Sequence, residues 1–170
     1  MVLYFGDKDI SDYIEKLYPD ISSDIASEEY DAVIISEYSL NAVSKIRNEI
    51  EKGIPVLGIL EGFRTVVEAY GGECCTKDDC PEGKQEIAVL DTDVPIHKGL
   101  AHIMYICRGN ANVPNEDKPM PGLYCIARSE SGDIISLCDR NFKVYAMNFY
   151  INSSLTEQGD VIIKNFLNLI

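Results

Sequence analysis

The sequence predicts an α/β protein of three layers, in which helices flank a mostly parallel central sheet. Over the first 72 residues, short apolar runs alternate with segments of helical periodicity. This alternation is typical of parallel strands joined by right-handed crossover helices. The C-terminal half instead holds strand candidates joined by short turns, which predict additional antiparallel strands. Because 170 residues suffice for one well-buried core, residues 1–170 are predicted to form a single domain.

The first half supplies the predicted parallel strands and their helices. Strands are predicted at residues 2–5, 21–25, 31–36 and 54–59, with helices after the first, third and fourth of them. Asp9 or Ser11 is the predicted N-cap of the first helix, and Pro19 ends it. The run from Asp31 to Ser36 is continuously apolar in its middle, which favours burial on both faces of the sheet. Ligands of such sheets bind beyond the carboxyl ends of the strands, where Ser36 and Glu37 are expected.

The second half supplies the predicted antiparallel strands and a closing helix. Strands are predicted at residues 86–90, 103–107, 123–128, 134–137 and 143–149, a hairpin turn at 131–133, and a helix at 160–169. Leu169 is expected to face the core from that helix. Residues 73–81 are predicted to be a loop. Residues 108–122 hold three prolines, two glycines and three asparagines, so they are predicted to be irregular and to lie near the ligand pocket.

Charge and hydropathy restrict the classes of partner. Fifteen basic and 28 acidic side chains give a net charge of −13, which disfavours nucleic acids and anionic membranes because like charges repel. No apolar run approaches the roughly 18 residues that span a bilayer. The N-terminal residues lack a basic segment followed by an apolar core. A cytoplasmic protein is therefore expected.

The six cysteines are predicted to be reduced thiols. Cys74, Cys75 and Cys80 form their only cluster, and this cluster lacks the paired C-x-x-C spacing of a zinc site. A fourth ligand would have to come from His97 or His102, for which a solvated or core role is the commoner one. The sequence therefore predicts neither a metal nor a cofactor.

The stretch that organises the chain is Gly58-Ile59-Leu60-Glu61-Gly62, between a predicted strand and a predicted helix. Glycines two residues before and after the central position are typical of a nucleophile elbow, a sharp turn that lifts one side chain into a pocket. Here the central residue is Leu60, which has no nucleophilic atom. The turn is therefore expected to be kept without its chemistry.

This stretch resembles the G-I-C-x-G-x-Q elbow of the class I glutamine amidotransferases, whose next helix commonly ends in Gly-Gly, as Gly71-Gly72 does here. A second stretch supports the resemblance. Residues 144–160, which read VYAMNFYINSSLTEQGD, and then Asn165-Phe166, are similar to the family's Y-G-V-Q-F-H-P-E-x-x-x-T-x-x-G and N-F. The likeness is greatest to the separate amidotransferase subunits of GMP synthetases, covers residues 30–72 and 141–170, and implies a flavodoxin-like arrangement of the sheet.

The resemblance also implies which positions held the catalytic groups. The family hydrolyses glutamine with a cysteine, a histidine and a glutamate, and here those places hold Leu60, Tyr150 and Asn152. Arg64 replaces the glutamine of the elbow helix. The family's S-G-G-P oxyanion loop is here Ser36-Glu37-Tyr38-Ser39. The degenerate triad is thus expected to be inactive, in a pocket whose candidate residues are Ser36, Glu37, Gly58, Glu61, Gly62 and Arg64.

Two functions follow as hypotheses. The first is a catalytically inactive amidotransferase-like protein that acts by binding, either to a synthetase (ATP-pyrophosphatase) subunit or to a small anionic ligand held by Arg64 with Tyr150 and Asn152. The second is an active amidotransferase subunit or hydrolase with unorthodox residues, such as Glu37 and Glu61 acting as paired carboxylates. A third possibility leaves no site at all, because Leu60 and Tyr150 pack together and fill the pocket.

Overall fold

A computed structural model of the chain describes residues 1–23, 29–118 and 120–170. Twelve strands and four α-helices are found in these residues. The strands are β1 (Val2–Phe5), β2 (Ile21–Ser22), β3 (Ala32–Ile35), β4 (Val56–Ile59), β5 (Cys74–Thr76), β6 (Gln85–Leu90), β7 (Ile103–Arg108), β8 (Asn112–Pro114), β9 (Leu123–Ser129), β10 (Ile134–Asp139), β11 (Val144–Met147) and β12 (Phe149–Tyr150). The helices are α1 (Lys8–Leu17), α2 (Leu40–Glu51), α3 (Glu61–Ala69) and α4 (Gly159–Leu167).

Ten of the strands form one sheet in the order β12-β7-β6-β9-β10-β11-β4-β3-β1-β2. From β2 to β11 neighbouring strands run parallel, and we call these five strands the parallel half. From β10 to β12 all neighbours are antiparallel, and we call β10, β9, β6, β7 and β12 the wing. The predicted α/β architecture, with a parallel core and added antiparallel strands, is confirmed.

The parallel half is buried on both faces. One face of β1, β3 and β4 packs with Ile10 and Ile14 of α1 and with Ile162 and Phe166 of α4. The other face packs against α2 and α3, including Phe63. Strands buried in this way read as continuous apolar runs, which is why the sequence indicates them so clearly.

Within the wing, β10 is buried on both faces, whereas β6 and the first half of β7 are buried on one face only. In β6, Ala88 and Leu90 lie in the core, while Val89 between them is exposed. Strand β7 repeats this alternation, with Met104 in the core and Tyr105 exposed. The predicted hairpin at residues 131–133 joins β9 to β10, where Ser129 N donates to the carbonyl oxygen of Asp133.

Several predicted details are wrong. The N-cap of α1 is Asp7, because its Oδ1 accepts from the N–H groups of Asp9 and Ile10. Residues 73–81 and 108–122 are not wholly irregular, since β5 and β8 pair between them through backbone hydrogen bonds that side-chain patterns do not reveal. Leu169 lies beyond α4 and is exposed.

Two further predictions differ from the structure in extent. The strand predicted at 143–149 is divided into β11 and β12, because Asn148 between them belongs to neither strand. The strand predicted at 21–25 is described only as Ile21–Ser22, and residues 24 and 25 lie outside the described residues. In the described ranges, no helix is both long and apolar enough to cross a membrane. The cytoplasmic location stays a prediction.

Candidate active site

The turn between β4 and α3 has the backbone of a nucleophile elbow. Leu60 has φ 56° and ψ −113°, a conformation that side-chain-bearing residues rarely adopt. Two backbone bonds fix it: Leu60 N donates to Met147 O of β11 (2.9 Å), and Phe63 N donates to Leu60 O (2.9 Å). The strain is therefore maintained by the neighbouring strand and by the first turn of α3.

The glycines on either side of Leu60 are required by close packing. A Cβ atom on Gly62 would overlap the carbonyl oxygen of Ile35 in β3. A Cβ atom on Gly58 would overlap the carbonyl oxygen of Gly62 and approach Val66 to 2.8 Å. The start of α3 is thus pressed against two parallel strands, and this packing aims the side chain of residue 60 beyond the carboxyl ends of the strands.

The second motif of the sequence is retained for structural reasons. Thr156, which is buried, donates its hydroxyl to Tyr150 O and accepts from Cys107 N (2.8 Å). A Cβ atom on Gly159 would overlap the carbonyl oxygen of Ile151. Thr156 and Gly159 therefore hold the turn between β12 and α4 against β7, whatever Tyr150 and Asn152 do chemically.

Tyr150 and Asn152 stand at the places that the resemblance gives to a histidine and a glutamate. Burial raises the pKa of Tyr150, and the negative charges of Glu82, Asp7 and Glu61 raise it further, so its hydroxyl stays protonated at neutral pH. The Oδ1 atom of Asn152 is buried and accepts no hydrogen bond from the residues that the structure describes. The two residues therefore form no base held by an orienting group.

The loop after β3 is tied down by its own contacts. Ser36 is buried, and its Oγ accepts from Asp7 N (2.8 Å) and shares a hydrogen bond with the hydroxyl of Tyr4. The hydroxyl of Thr65 in α3 donates to Glu37 O (2.6 Å). Ser36 therefore fixes the β1–α1 loop. None of these contacts takes the place of the two glycines in the S-G-G-P pattern of the family's oxyanion loop.

Glu61 makes contacts that the sequence does not indicate. Its Oε1 accepts from Asn110 Nδ2 (2.8 Å) and its Oε2 from Asn112 Nδ2 (3.5 Å). We call residues 109–112 the strap. The carboxylate is thereby committed to two amide groups of the strap, and the structure provides no contact between Glu61 and Glu37 of the kind that paired catalysis requires.

The strap also contacts Leu60 itself. A Cβ atom on Gly109 would lie 2.8 Å from Leu60 Cδ2. Leu60 is partly buried and packs against the core on the α1–α4 face of the sheet. Residues 108–122 thus do approach the elbow, as their composition indicated. The sequence indicates this contact with the elbow only weakly, through a glycine and nearby asparagines that follow a strand.

Arg64 does not reach Tyr150 or Asn152. Its Nε pairs with Glu68 Oε1 (2.8 Å), its NH2 group donates to the hydroxyl of Tyr38 (3.1 Å), and its guanidinium lies 3.9 Å from the centroid of that ring. These residues line a separate surface cavity of about 450 Å³ that also includes Cys74. An anion held jointly by Arg64, Tyr150 and Asn152 is therefore not supported by the geometry.

The other reactive groups lie elsewhere or are poorly suited. Burial raises the pKa of Cys74 to about 12, so its thiol is not activated. His97 is buried in the turn before β7, where its Nδ1 lies 2.8 Å from Asp91 O. All six cysteines are free, and the described ranges contain no group of three or more Cys, His, Asp or Glu placed to hold a metal ion.

Comparison with known proteins identifies the family. The profile described as Glutamine amidotransferase class-I matches residues 16–169. The chain is 29% identical over 132 residues to a GMP synthase [glutamine-hydrolyzing] of Caldanaerobacter subterraneus subsp. tengcongensis, covering 78% of this chain and 25% of that protein. A GMP synthase [glutamine-hydrolyzing] of Lactobacillus johnsonii is 28% identical over 165 residues, covering 94% and 32%.

Solved structures show the same fold. The crystal structure of a putative GMP synthase subunit from Thermoplasma acidophilum superposes with a TM-score of 0.82 at 17% identity, covering 99% of this chain and 93% of that one. The chain belongs to the class I glutamine amidotransferase family. It spans between a quarter and a third of the length of the two GMP synthases.

Proposed function

We propose that this member of the class I glutamine amidotransferase family does not hydrolyse glutamine and acts by binding a synthetase subunit of the ATP-pyrophosphatase type. One observation carries the proposal: a strained nucleophile elbow is kept in full, with Leu60 at its tip. A backbone strain of about 1–3 kcal/mol persists only where the surrounding packing maintains it. A surface that still serves a partner would explain why the packing is kept when the nucleophile is gone.

The charged groups around the elbow support the absence of catalysis. Tyr150 keeps its proton at neutral pH, and Glu61 is bound by two amides of the strap. A thiol brought from elsewhere would have to ionise, and burial opposes this at Cys74. The alternative, an active subunit with unorthodox residues, therefore has no nucleophile in contact with a base among the described residues at the elbow to support it.

The partner is proposed from the relatives. The curated relatives are named as glutamine-hydrolysing GMP synthases, and this chain corresponds to only a quarter to a third of them. The remaining length of such a protein is the natural partner for a chain of this size. A small anionic ligand at Arg64 is less well supported, because Glu68 and Tyr38 already occupy its donors.

The test measures ammonia release from glutamine by the purified chain, alone and with a GMP synthase-type synthetase subunit from the same genome. We expect no ammonia above the buffer control in either case, and we expect co-elution of the two proteins in gel filtration. The control is the triple variant Leu60→Cys, Tyr150→His, Asn152→Glu, which should bind the same subunit.

Two outcomes would contradict this proposal. Ammonia release by the unmodified chain would show an active enzyme with another nucleophile. Absence of co-elution at micromolar concentrations, for both the unmodified chain and the triple variant, would exclude the synthetase as partner.

A further inference from the structure

The strap, residues 109–112, lies directly over the tip of the elbow. Its first residue is in such close contact that a Cβ atom on Gly109 would lie 2.8 Å from Leu60 Cδ2 and would overlap Asn148 Oδ1. Only a glycine allows the backbone to pass this closely. Main-chain atoms of the strap thus lie close to the side chain at position 60. A pocket for a substrate would have to open at this same place.

Asn148 anchors the base of the strap. This residue is fully buried between β11 and β12. Its carbonyl oxygen accepts from Gly109 N and its Oδ1 from Asn110 N, both at 3.0 Å. Its Nδ2 donates to Asn110 O (2.9 Å) and Asn112 O (2.7 Å). One buried amide therefore satisfies the backbone groups of the strap that would otherwise need water.

Glu61 fastens the outer side of the strap to the helix that follows the elbow. The two oxygens of its carboxylate accept from the side-chain amides of Asn110 and Asn112, at 2.8 and 3.5 Å. Hydrogen bonds to a charged group contribute more than neutral ones. Asn110 and Asn112 are only partly buried, so this contact can open without unfolding the sheet.

We infer that the strap is a latched cover on the elbow: the carboxylate of Glu61 holds Asn110 and Asn112, and the side chain at position 60, which is partly exposed in the latched state, becomes more accessible to solvent molecules when these bonds break. The cover is built from this chain's own residues, so it acts with or without a partner. This inference does not depend on whether the chain hydrolyses glutamine, since it concerns access to the elbow and not its chemistry.

The experiment places a reporter thiol beneath the cover. In the variant Leu60→Cys, alkylation of residue 60 by iodoacetamide is followed by peptide-resolved mass spectrometry. The same rate is measured after adding Asn110→Ala and Asn112→Ala, which release the latch and leave the net charge unchanged. We expect alkylation at least about tenfold faster in the released protein, because even one lost hydrogen bond to a charged group shifts an opening equilibrium by that factor.

The chain provides its own controls. Leu60→Cys combined with Asn165→Ala removes an asparagine that donates to Ile96 O and Lys98 O far from the strap, and its rate at residue 60 should stay within twofold of Leu60→Cys alone. Exposed Cys75 serves as the reference thiol, and buried Cys138 reports global unfolding.

Two results would overturn the latch. One is an alkylation rate in the released protein equal to that of the Asn165→Ala control. The other is equal acceleration at Cys138, which would mean that residue 60 becomes accessible through global loosening and not through a local cover.

Discussion

The parallel half and the wing contribute in different ways to the same site. The parallel half is held by apolar side chains on both faces of its strands, and it sets the backbone of the elbow through Gly58 and Gly62. The wing strands β6 and β7 have residues exposed on one face, and the wing contains a buried ion cluster. It supplies the residues that lie around the elbow, which are Tyr150 and the strap after β7.

The ion cluster is centred on Arg108, the last residue of β7. Its side chain is fully buried and pairs with Glu86 (3.3 Å) and Asp133 (3.3 Å), while Lys77 reaches Asp133 at 2.7 Å. Burial opposes the charge on Asp133, but Lys77 and Arg108 outweigh it and hold the pKa of that carboxyl below its usual range. The cluster ties two strands of the wing, β6 and β7, and the β9–β10 hairpin to the segment before β6, and it fixes the residue after which the strap begins.

The backbone scaffold of the elbow and the polar groups around it are therefore separable in this chain. The elbow depends on contacts between backbone atoms of β3, β4 and α3, which do not require a particular residue at position 60. Tyr150 and the strap come from the wing and the segment that follows β7, whereas Leu60 and Glu61 belong to the elbow itself. The elbow thus keeps its backbone with a leucine at its tip.

The largest effect is expected from Arg108→Met, which retains the volume of the side chain but removes its charge. Glu86 would be left buried without its charged partner and Asp133 would keep only Lys77, and breaking a buried pair in this way typically costs about 3–5 kcal/mol of unfolding free energy. Urea unfolding followed by circular dichroism measures the change. If the parallel half alone determined stability, the loss would be below about 1 kcal/mol, and the cluster would have no such role.

Two matched variants sharpen this result. Arg128→Met removes an exposed pair with Glu116 and should cost less than about 1 kcal/mol. Adding Glu86→Gln and Asp133→Asn to Arg108→Met should recover part of the loss, because the uncompensated buried charges are then gone.

In the parallel half, Gly62→Ala is expected to cost about 3 kcal/mol, since overpacking that displaces main-chain atoms lies at the upper end of such changes. The added Cβ would overlap Ile35 O, and neither β3 nor the start of α3 can yield without loss of packing. Urea unfolding provides the free energy. Gly53→Asn is the control, because nothing lies within 4 Å of that position and asparagine tolerates its φ of +79°; it should change stability by less than about 1 kcal/mol.

A loss at Gly62→Ala no larger than that at Gly53→Asn would contradict the view that packing between β3 and α3 imposes the elbow. The strain at Leu60 would then have to come from β11, through the bond between Leu60 N and Met147 O.

The same contrast explains what the sequence could and could not predict. Continuous apolar runs such as Val33 to Ile35 have one explanation, a strand buried on both faces, so β1, β3 and β4 were predicted, whereas β11, expected among the antiparallel strands, runs parallel to β4. The elbow was predicted because two glycines at fixed spacing mark it. The predicted helix start at Asp9 or Ser11 was wrong because the capping residue, Asp7, precedes the periodic segment that the prediction used.

The strap and the β5–β8 pair could not be predicted for a different reason. Their stability comes from hydrogen bonds between residues far apart in the chain, such as Asn148 with Asn110 and Glu61 with Asn112. Asparagine and glutamate are common in solvated loops, so their presence indicates no particular partner. Arg64 illustrates the same limit, since its residue type favoured an anion whereas its nearest partner is Glu68, one helical turn away.

The smallest predicted effect is a pH dependence that arises at His97. Burial lowers the pKa of this imidazole below its ordinary value of 6.5, so the folded state stays neutral where the unfolded state takes up a proton. The unfolded state then binds more protons, and stability falls as the pH drops below about 6.5, by at most about 1.4 kcal/mol per pH unit. In His97→Gln this fall should be smaller, as measured by urea unfolding at pH 7.5, 6.5 and 5.5.

The second histidine of the chain provides the matched control. His102 is exposed, with its Nδ1 2.6 Å from Leu90 O, so His102→Gln serves as the exposed comparison at the same three pH values. Carboxylates contribute to the slope equally in both variants, so the difference between them isolates His97. Equal slopes would mean that the turn containing His97 opens easily enough to protonate it in the folded state. The turn that contains His97 would then be locally mobile. Water would reach the buried Nε2 of His97, which accepts no hydrogen bond from the described residues, when this turn opens.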